Sequence, residues 1–484
     1  MNRREESSTI AKLVRIALAL GALLISVYAV QSLMHGRRMV PIAVLGLFTI
    51  ISVFLVLDKY YWLLCPFFLL LGISIPGIRL DPGELGCASV IGMYLVRKAL
   101  GKEPSFHLSP NILPLVPLVC WIGFVYLLKP AGLAMFGAQT IGLRFYLKFL
   151  LAFLAAIVFS SIALDESDCR ILYKVCFSAA CLRLVLSILV ERFQPEDIFS
   201  GDFEYGTRYY LESGIVIYAL ILARYSLSGI LASPAMTLLA ACLATLTLYS
   251  GRRTNAGLIF LYPLFHAILS RTNRLATMVV SSIGVILLIF LVAGDGTVYK
   301  LPYSVQRPLA IIAPQYRSMG FEGAGDTFRR EMRSIAYEII RDSPWFGRGG
   351  FTLSREETIW LTSLERNHSI RAMAYSGNWH NIWLSYAADL GIPAMLMWGV
   401  FVLCVIVFCF KNVQVLPLLP YQRYCFLFFS MQLLGLFAFS WVSTAAPSSS
   451  IHIWVRFGFL LAIANGARRS VPAFPTESKT EANE

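Results

Sequence analysis

Apolar residues run along this chain in stretches of the length a helix needs to cross a hydrocarbon core, about 17–25 residues, with short polar turns between them. Fourteen stretches can be marked: 13–30, 39–57, 60–78, 85–96, 112–128, 145–164, 171–190, 214–225, 230–249, 255–269, 275–293, 390–410, 424–441 and 449–464. The fourth, eighth and tenth are short for a span, so the pattern predicts twelve to fourteen transmembrane helices. The stretch 13–30 lacks a small-residue cleavage site behind it and reads as a retained helix rather than a signal peptide. One polar stretch exceeds all others, Asp295 to His380, 86 residues. No internal repeat is visible. The expectation is an all-α integral membrane protein, a polytopic helical bundle: a transmembrane bundle over 1–294, a large, partly helical loop over 295–380, C-terminal transmembrane helices over 381–466, and a polar, disordered cytoplasmic tail over 467–484.

Composition excludes the soluble alternatives. Of 484 residues 57% are hydrophobic and 14% charged, against about a quarter charged in soluble proteins. A large cytosolic enzyme, a secreted disulfide scaffold and a disordered hub are ruled out. The 10 Cys form no CxxC and no His/Cys cluster, which argues against structural zinc and a disulfide framework. The charge of +13 helps to set the topology. With Arg3, Arg4 and Lys12 in the cytoplasm, the positive-inside rule puts Arg97, Lys98, Lys102, Arg271, Arg274, Lys411, Arg423, Arg468 and Arg469 inside and the 86-residue loop outside. Arg37 and Arg38 break the rule, and Arg79 falls outside beside Asp81 and Glu84.

A group of Arg residues also departs from it. Arg144, Arg252 and Arg253 fall at outer helix ends, Arg208 in the outer loop before the eighth stretch, and Arg183 and Arg456 within apolar segments near the same level. An ionised residue inside the bilayer is costly unless it faces a cavity or a partner, so six Arg at one level suggest an anion-binding cavity open outward. Snorkelling to lipid phosphates is the competing reading for Arg144 and Arg208. In the loop, Phe328, Met332, Ile335, Ala336, Ile339 and Ile340 recur at helical spacing, with Asp326 as candidate cap and Pro344 as stop. Arg329, Arg330 and Arg333 crowd the first turns of that helix, the wrong sign for its dipole, as a bound phosphate or a solvated basic face would explain. Gly347 and Gly349 in PWFGRGG make either an anion-cradling turn or a plain tight one. His380 and Asn381 stand where the loop enters the next helix; a histidine there can move a proton near neutrality, or simply pack, and His368 is a weaker rival. Neither metal-ligand spacing nor a pair of flanking carboxylates is present, so the expectation is no metal and no cofactor.

The stretches FRREMRSIAYEIIRDSPWFGRGGF, HNIWLSYAADLGIPAML, SGRRTNAG and GTRYYLES, in their order, resemble the O-antigen ligase and polymerase superfamily of bacterial envelope glycosyltransferases. Ala394 stands where the family has the second Gly of its Gly-x-x-Gly, and the likeness runs mainly from Arg208 to Phe401. The resemblance implies a GT-C-like bundle in the bacterial inner membrane with its site facing the periplasm. It implies a donor glycan on undecaprenyl pyrophosphate and an acceptor hydroxyl on a glycan or glycolipid, with no nucleic acid as partner. Arg144, Arg183, Arg208, Arg252, Arg253, Arg329 and Arg330 would then bind the pyrophosphate, His380 would serve the acceptor hydroxyl, and Asn381, Gly347, Gly349 and Arg456 would support them. Ligase and polymerase stay equally open. A transporter or flippase of an anionic lipid-linked glycan is the alternative of another class, though it would favour charges near the midplane and related halves. A receptor-like protein with a partner-binding loop would not need Arg within helices.

Overall fold

Chains rich in Leu, Val, Ile, Phe and Ala form helices in an apolar medium because every backbone N–H and C=O must find its partner within the segment. The computed structural model describes residues 58–72, 81–102, 109–130, 143–193, 213–249, 253–271, 323–349, 379, 381–441 and 446–470, with scattered positions between 282 and 309. Among these residues the chain forms α-helices and no strand: α1 Leu64–Leu71, α2 Pro82–Ala99, α3 Leu115–Leu128, α4 Leu143–Ser161, α5 Glu166–Phe193, α6 Ser213–Leu231, α7 Pro234–Tyr249, α8 Arg253–Ser270, α9 Gly323–Asp342, α10 Ile382–Leu390, α11 Ile392–Val415, α12 Pro420–Ala438 and α13 Ala446–Arg469. The expected spans 13–30 and 39–57 lie outside the described residues, and 275–293 is described only in part.

Four described helices are long and apolar enough to cross a membrane: Leu143–Ser161, Ser213–Leu231, Ile392–Val415 and Ser450–Arg469. Shorter apolar helices occupy Lys59–Leu71, Leu115–Leu128, Pro234–Leu248 and Thr254–Ser270. With 24 residues, α11 is about 36 Å long at 1.5 Å per residue, more than the core of a bilayer. One of its faces buries Trp398, Phe401, Val405 and Phe408, while Leu396, Val400, Leu403 and Val407 are exposed along the other. A helix apolar all round cannot rest on a soluble surface; the outer stripe is suited to lipid. The protein is an all-α, multi-pass membrane protein.

Helices before and after the long loop share one core. Its largest interface joins α4 to α13. Gly458, Ala462 and Gly466 recur every four residues along α13; Gly458 faces the buried Ala156 of α4, and Ala462 and Gly466 meet Leu164 just after it. Small residues let two membrane helices approach closely, the usual source of packing where lipid removes the hydrophobic drive. The Leu164 N–H reaches the Ala462 carbonyl at 3.0 Å, and a Cβ on Gly466 would run into the Leu164 carbonyl. Gly466→Ala should therefore cost about 1–3 kcal/mol through overpacking, read as a lower Tm of the detergent-solubilised protein. An unchanged Tm would mean that α13 does not meet the Leu164 backbone at this distance.

The bundle has two distinguishable ends. At one, the Glu166 carboxylate accepts from the backbone N–H groups of Tyr421 and Gln422 at 3.0–3.2 Å, so α5 caps the N-terminus of α12 with the charge its dipole favours. At the other end, the starts of α2, α4 and α13 come together with α3 and with the middle and end of α10. That end carries α9.

Boundaries differ from expectation in several places; the tail expected to be disordered from 467 is helical as far as Arg469, with Ala467 buried, and 471–484 lies outside the described residues. Helix α9 begins at Gly323, so Asp326 lies inside its first turn rather than at the cap, and Arg329, Arg330 and Arg333 fall in the second and third turns. The helix expected from position 390 is two: α10 ends at Leu390, Gly391 turns the chain at φ 90°, and α11 follows with Pro393 in its first turn, where a missing N–H costs nothing.

Candidate functional site

The end of the bundle that carries α9 is built on an apolar seat. Met332 and Ala336 of α9 are buried against Trp379, Leu384 and Ala388, with Ile335, Ile339 and Ile340 packed beside them. The face expected from helical spacing is thus the one that docks, and its partner is α10. Arg329 is half-buried on α9, and Arg330 and Arg333 are exposed.

After α9 comes the glycine turn, with Gly347 at φ 58° and Gly349 at φ 74°. Both conformations are left-handed, where a Cβ is penalised. Its N–H groups bind the chain itself: Arg348 N–H donates to the Ala388 carbonyl at 2.9 Å and Gly349 N–H to the Asp389 carbonyl at 3.0 Å. Orphan carbonyls at the end of α10 are satisfied in this way. A Cβ on Gly347 would stand 2.6 Å from the Ala388 oxygen. The turn therefore closes on α10, and the N–H groups of Arg348 and Gly349 do not point at an anion. Helix α3 fixes it from the other side. Lys129 Nζ donates to the Gly347 carbonyl at 2.6 Å, Trp121 stacks on Phe346 at 5.7 Å, and Trp121 Nε1 donates to the Leu390 carbonyl at 2.9 Å.

His380 lies outside the described residues, but its two neighbours are both described and both buried. Asn381 caps α10: its side-chain oxygen accepts from the N–H groups of Trp383 at 2.9 Å and Leu384 at 3.1 Å, an interaction worth about 1 kcal/mol. Trp379 donates from Nε1 to both carboxylate oxygens of Asp389, at 3.1 and 3.0 Å. Asp389 is fully buried and also accepts from Ser385 Oγ at 3.2 Å and Arg348 at 3.3 Å. Burial pushes its carboxyl up, to about 6, against the pull of the Arg348 guanidinium and the hydrogen bonds from Trp379, Arg348 and Ser385. Its charged partner is Arg348.

The expected Arg cavity is brought together in part. Arg144, in the first turn of α4, is buried and forms a forked pair with Glu84 of α2, Nε to Oε1 at 3.2 Å and Nη2 to Oε2 at 2.7 Å. Lys148, one turn on, reaches Asp81 at 2.6 Å and Glu84 at 3.3 Å. Two cations thus face two carboxylates, a correction to the picture of Arg144 waiting in an open cavity. Neither sign could be buried there alone.

Arg183 of α5 is half-buried and donates to the Leu70 carbonyl at the end of α1, 3.4 Å away. Its guanidinium lies against Gly72, where a Cβ would come within 2.8 Å of Nη1. A cation at a helix C-terminus is well placed for the dipole. Arg456 of α13 donates to the His452 carbonyl at 3.3 Å. Arg456, Arg183 and Lys148, opposed by Asp81, are the charges that act on the His452 imidazole. Residues far apart in sequence thus converge on one polar region. His452 was missed by the sequence reading; the available signal was its place four residues before Arg456, on the same helix face. Arg208 and Arg252 lie outside the described residues, as does the side chain of Arg253, whose backbone opens α8. Among the described residues no three His, Cys, Asp or Glu side chains gather as a metal ion would require.

No curated protein matches the chain. A family model described as O-antigen ligase matches residues 214–399, from the first turn of α6 to the middle of α11. The matched region contains the start of α8, helix α9, the glycine turn, the His380–Asn381 junction and Asp389. Across that region, set in a multi-pass helical membrane bundle, the chain is similar to the O-antigen ligase family, which supports its place in the O-antigen ligase superfamily.

Proposed function

We propose that the protein transfers a glycan from an undecaprenyl-pyrophosphate carrier to an acceptor hydroxyl at the periplasmic face of the bacterial inner membrane. The match to the O-antigen ligase family model supports glycosyl transfer of the ligase or polymerase kind. The observation that carries the finer reading is the convergence of Arg183 and Arg456 inside a membrane bundle, beside the end on which α9 docks. A lipid-linked pyrophosphate has its tail in the bilayer and its charge at the interface, and it needs cations at that depth.

In the proposed reaction the acceptor O–H gives its proton to His380 as its oxygen bonds to the anomeric carbon. The bond from that carbon to the pyrophosphate oxygen breaks, and the carrier leaves with the electron pair. Arg183 and Arg456, with Arg253, Arg208 and Arg252, stabilise the charge that develops on the leaving group. Arg329 and Arg330 on α9 bind the donor from the aqueous side. We leave Arg144 out of the donor-binding set because Glu84 holds it. The GT-C-like architecture and the division into 1–294, a periplasmic loop over 295–380, and 381–466 belong to the same reading, and the chemistry asks for neither metal nor cofactor.

The test is the surface-glycan profile of a deletion strain. Long polymers left on the lipid carrier are the expected result for a ligase. Single repeat units left unextended would assign the protein as the polymerase, and an unchanged surface glycan would overturn both.

A further inference from the structure

The chain is pinned on both sides of His380 by different devices. On the C-terminal side Asn381 caps α10, and the Ile382 N–H donates to the Ser440 carbonyl at 2.9 Å. On the N-terminal side Trp379, 3% exposed, holds the Asp389 carboxylate with its indole N–H. A capping residue alone would fix the start of the helix. It would not fix the residue before it, whose backbone is free to swing about the cap. The link from Trp379 to Asp389 closes that freedom, because Asp389 sits two turns along the same helix.

The carboxylate also has a second attachment. Arg348 pairs with it at 3.3 Å and lies over the Trp379 ring at 5.2 Å. Arg348 belongs to the glycine turn after α9, whose backbone is tied to Ala388 and Asp389. One buried carboxylate therefore joins the residue before His380, the helix after it and the turn that follows the loop helix. A structural role alone leaves unexplained why an ionisable group, and not a Leu, fills a fully buried site: a buried ion pair is poor evidence of stabilisation, and it does hold a defined geometry.

We propose that Asp389 is a positioning residue, which holds the His380 junction in register through Trp379 while Arg348 ties the same carboxylate to the loop turn. The proposal rests on the reading of His380 as the residue that serves the acceptor. If it is right, placement errors at His380 are what its loss produces, and misplacement of a reacting group by about 1 Å can cost on the order of 10²-fold in rate.

The test uses the full-length protein in membranes and has two readouts. Hydrogen–deuterium exchange of the backbone over 378–384 reports the junction without reference to activity. Trp379→Phe keeps the ring and loses the N–H; it should raise exchange there and lower glycan transfer about 10²-fold. Asp389→Ala should do the same, whereas Asp389→Asn retains an acceptor for the indole and should recover most of the protection and the transfer. Combined with His380→Ala, Trp379→Phe should cause no further loss, because residues acting as one unit are not additive. Wild-type exchange and transfer in Trp379→Phe would overturn the proposal, as would losses that multiply in the double variant. Raised exchange with a fully active His380→Ala would leave the clamp standing and remove His380 from the reaction.

Discussion

His380→Ala should lower glycan transfer by roughly 10²–10⁴-fold, the contribution of a positioned general base, while the lipid-linked donor still binds. Donor binding rests on the Arg residues, and acceptor activation rests on the imidazole. In the sequence His380 falls between Trp379 and Asn381, each buried and held by its own hydrogen bonds, so the substitution falls on a junction that other residues keep in place. The Tm should then change little. His380→Gln separates two roles. An amide can orient a hydroxyl but cannot take its proton, so recovery of part of the rate would mean that the residue orients, and no recovery would mean that it is the base. A His380 that only packed the loop would give poorly folded protein in both variants. A stable, fully active His380→Ala enzyme would take the residue out of the mechanism, and His368 would be tested next.

Helix placement along the chain was legible in the sequence, and azimuth was not. Apolar run length and loop charge put Arg183 and Arg456 at one expected level, and both act on the His452 imidazole. What the sequence cannot supply is the direction in which each side chain leaves its helix. Arg144 was assigned to the cavity by level alone; the 60 positions separating it from Glu84 hide a pairing that only the packing of α2 on α4 creates. The apolar face of α9 was legible because its neighbours lie three and four residues apart, and its seat on α10 was not, because Trp379 and Ala388 are long-range partners. The break at Gly391 escaped a count of apolar residues, which runs through Leu-Gly-Ile-Pro without interruption, although Gly followed two residues later by Pro is a stop-and-start signal. Buried polar groups such as Asp389 look expensive in a sequence. They make sense only when their partners, here Trp379, Ser385 and Arg348, are in view.

Arg456→Lys and Arg183→Lys should each reduce transfer strongly, and Arg456→Ala by about 10²–10³-fold, the usual cost of removing one preorganised donor from a developing anion. Lysine keeps the charge, so a purely electrostatic anchor would tolerate it. A planar guanidinium presents two parallel N–H groups to two oxygens, as a pyrophosphate requires, and an ammonium does not. The same argument applies to Arg253→Lys at the start of α8. Lysine variants should therefore raise the donor KM and lower kcat together, since contact to the phosphate oxygens tightens as the leaving group departs. Membrane insertion and Tm should stay near wild type, because Arg183 and Arg456 bond to the backbone carbonyls of Leu70 and His452, which lysine can still reach. Wild-type transfer in all three lysine variants would show that these side chains anchor the bundle to lipid phosphates and that the pyrophosphate is held elsewhere. A rise in donor KM at Arg456 and Arg183 but not at Arg253 would confine the donor to the region around His452, between α1, α5 and α13.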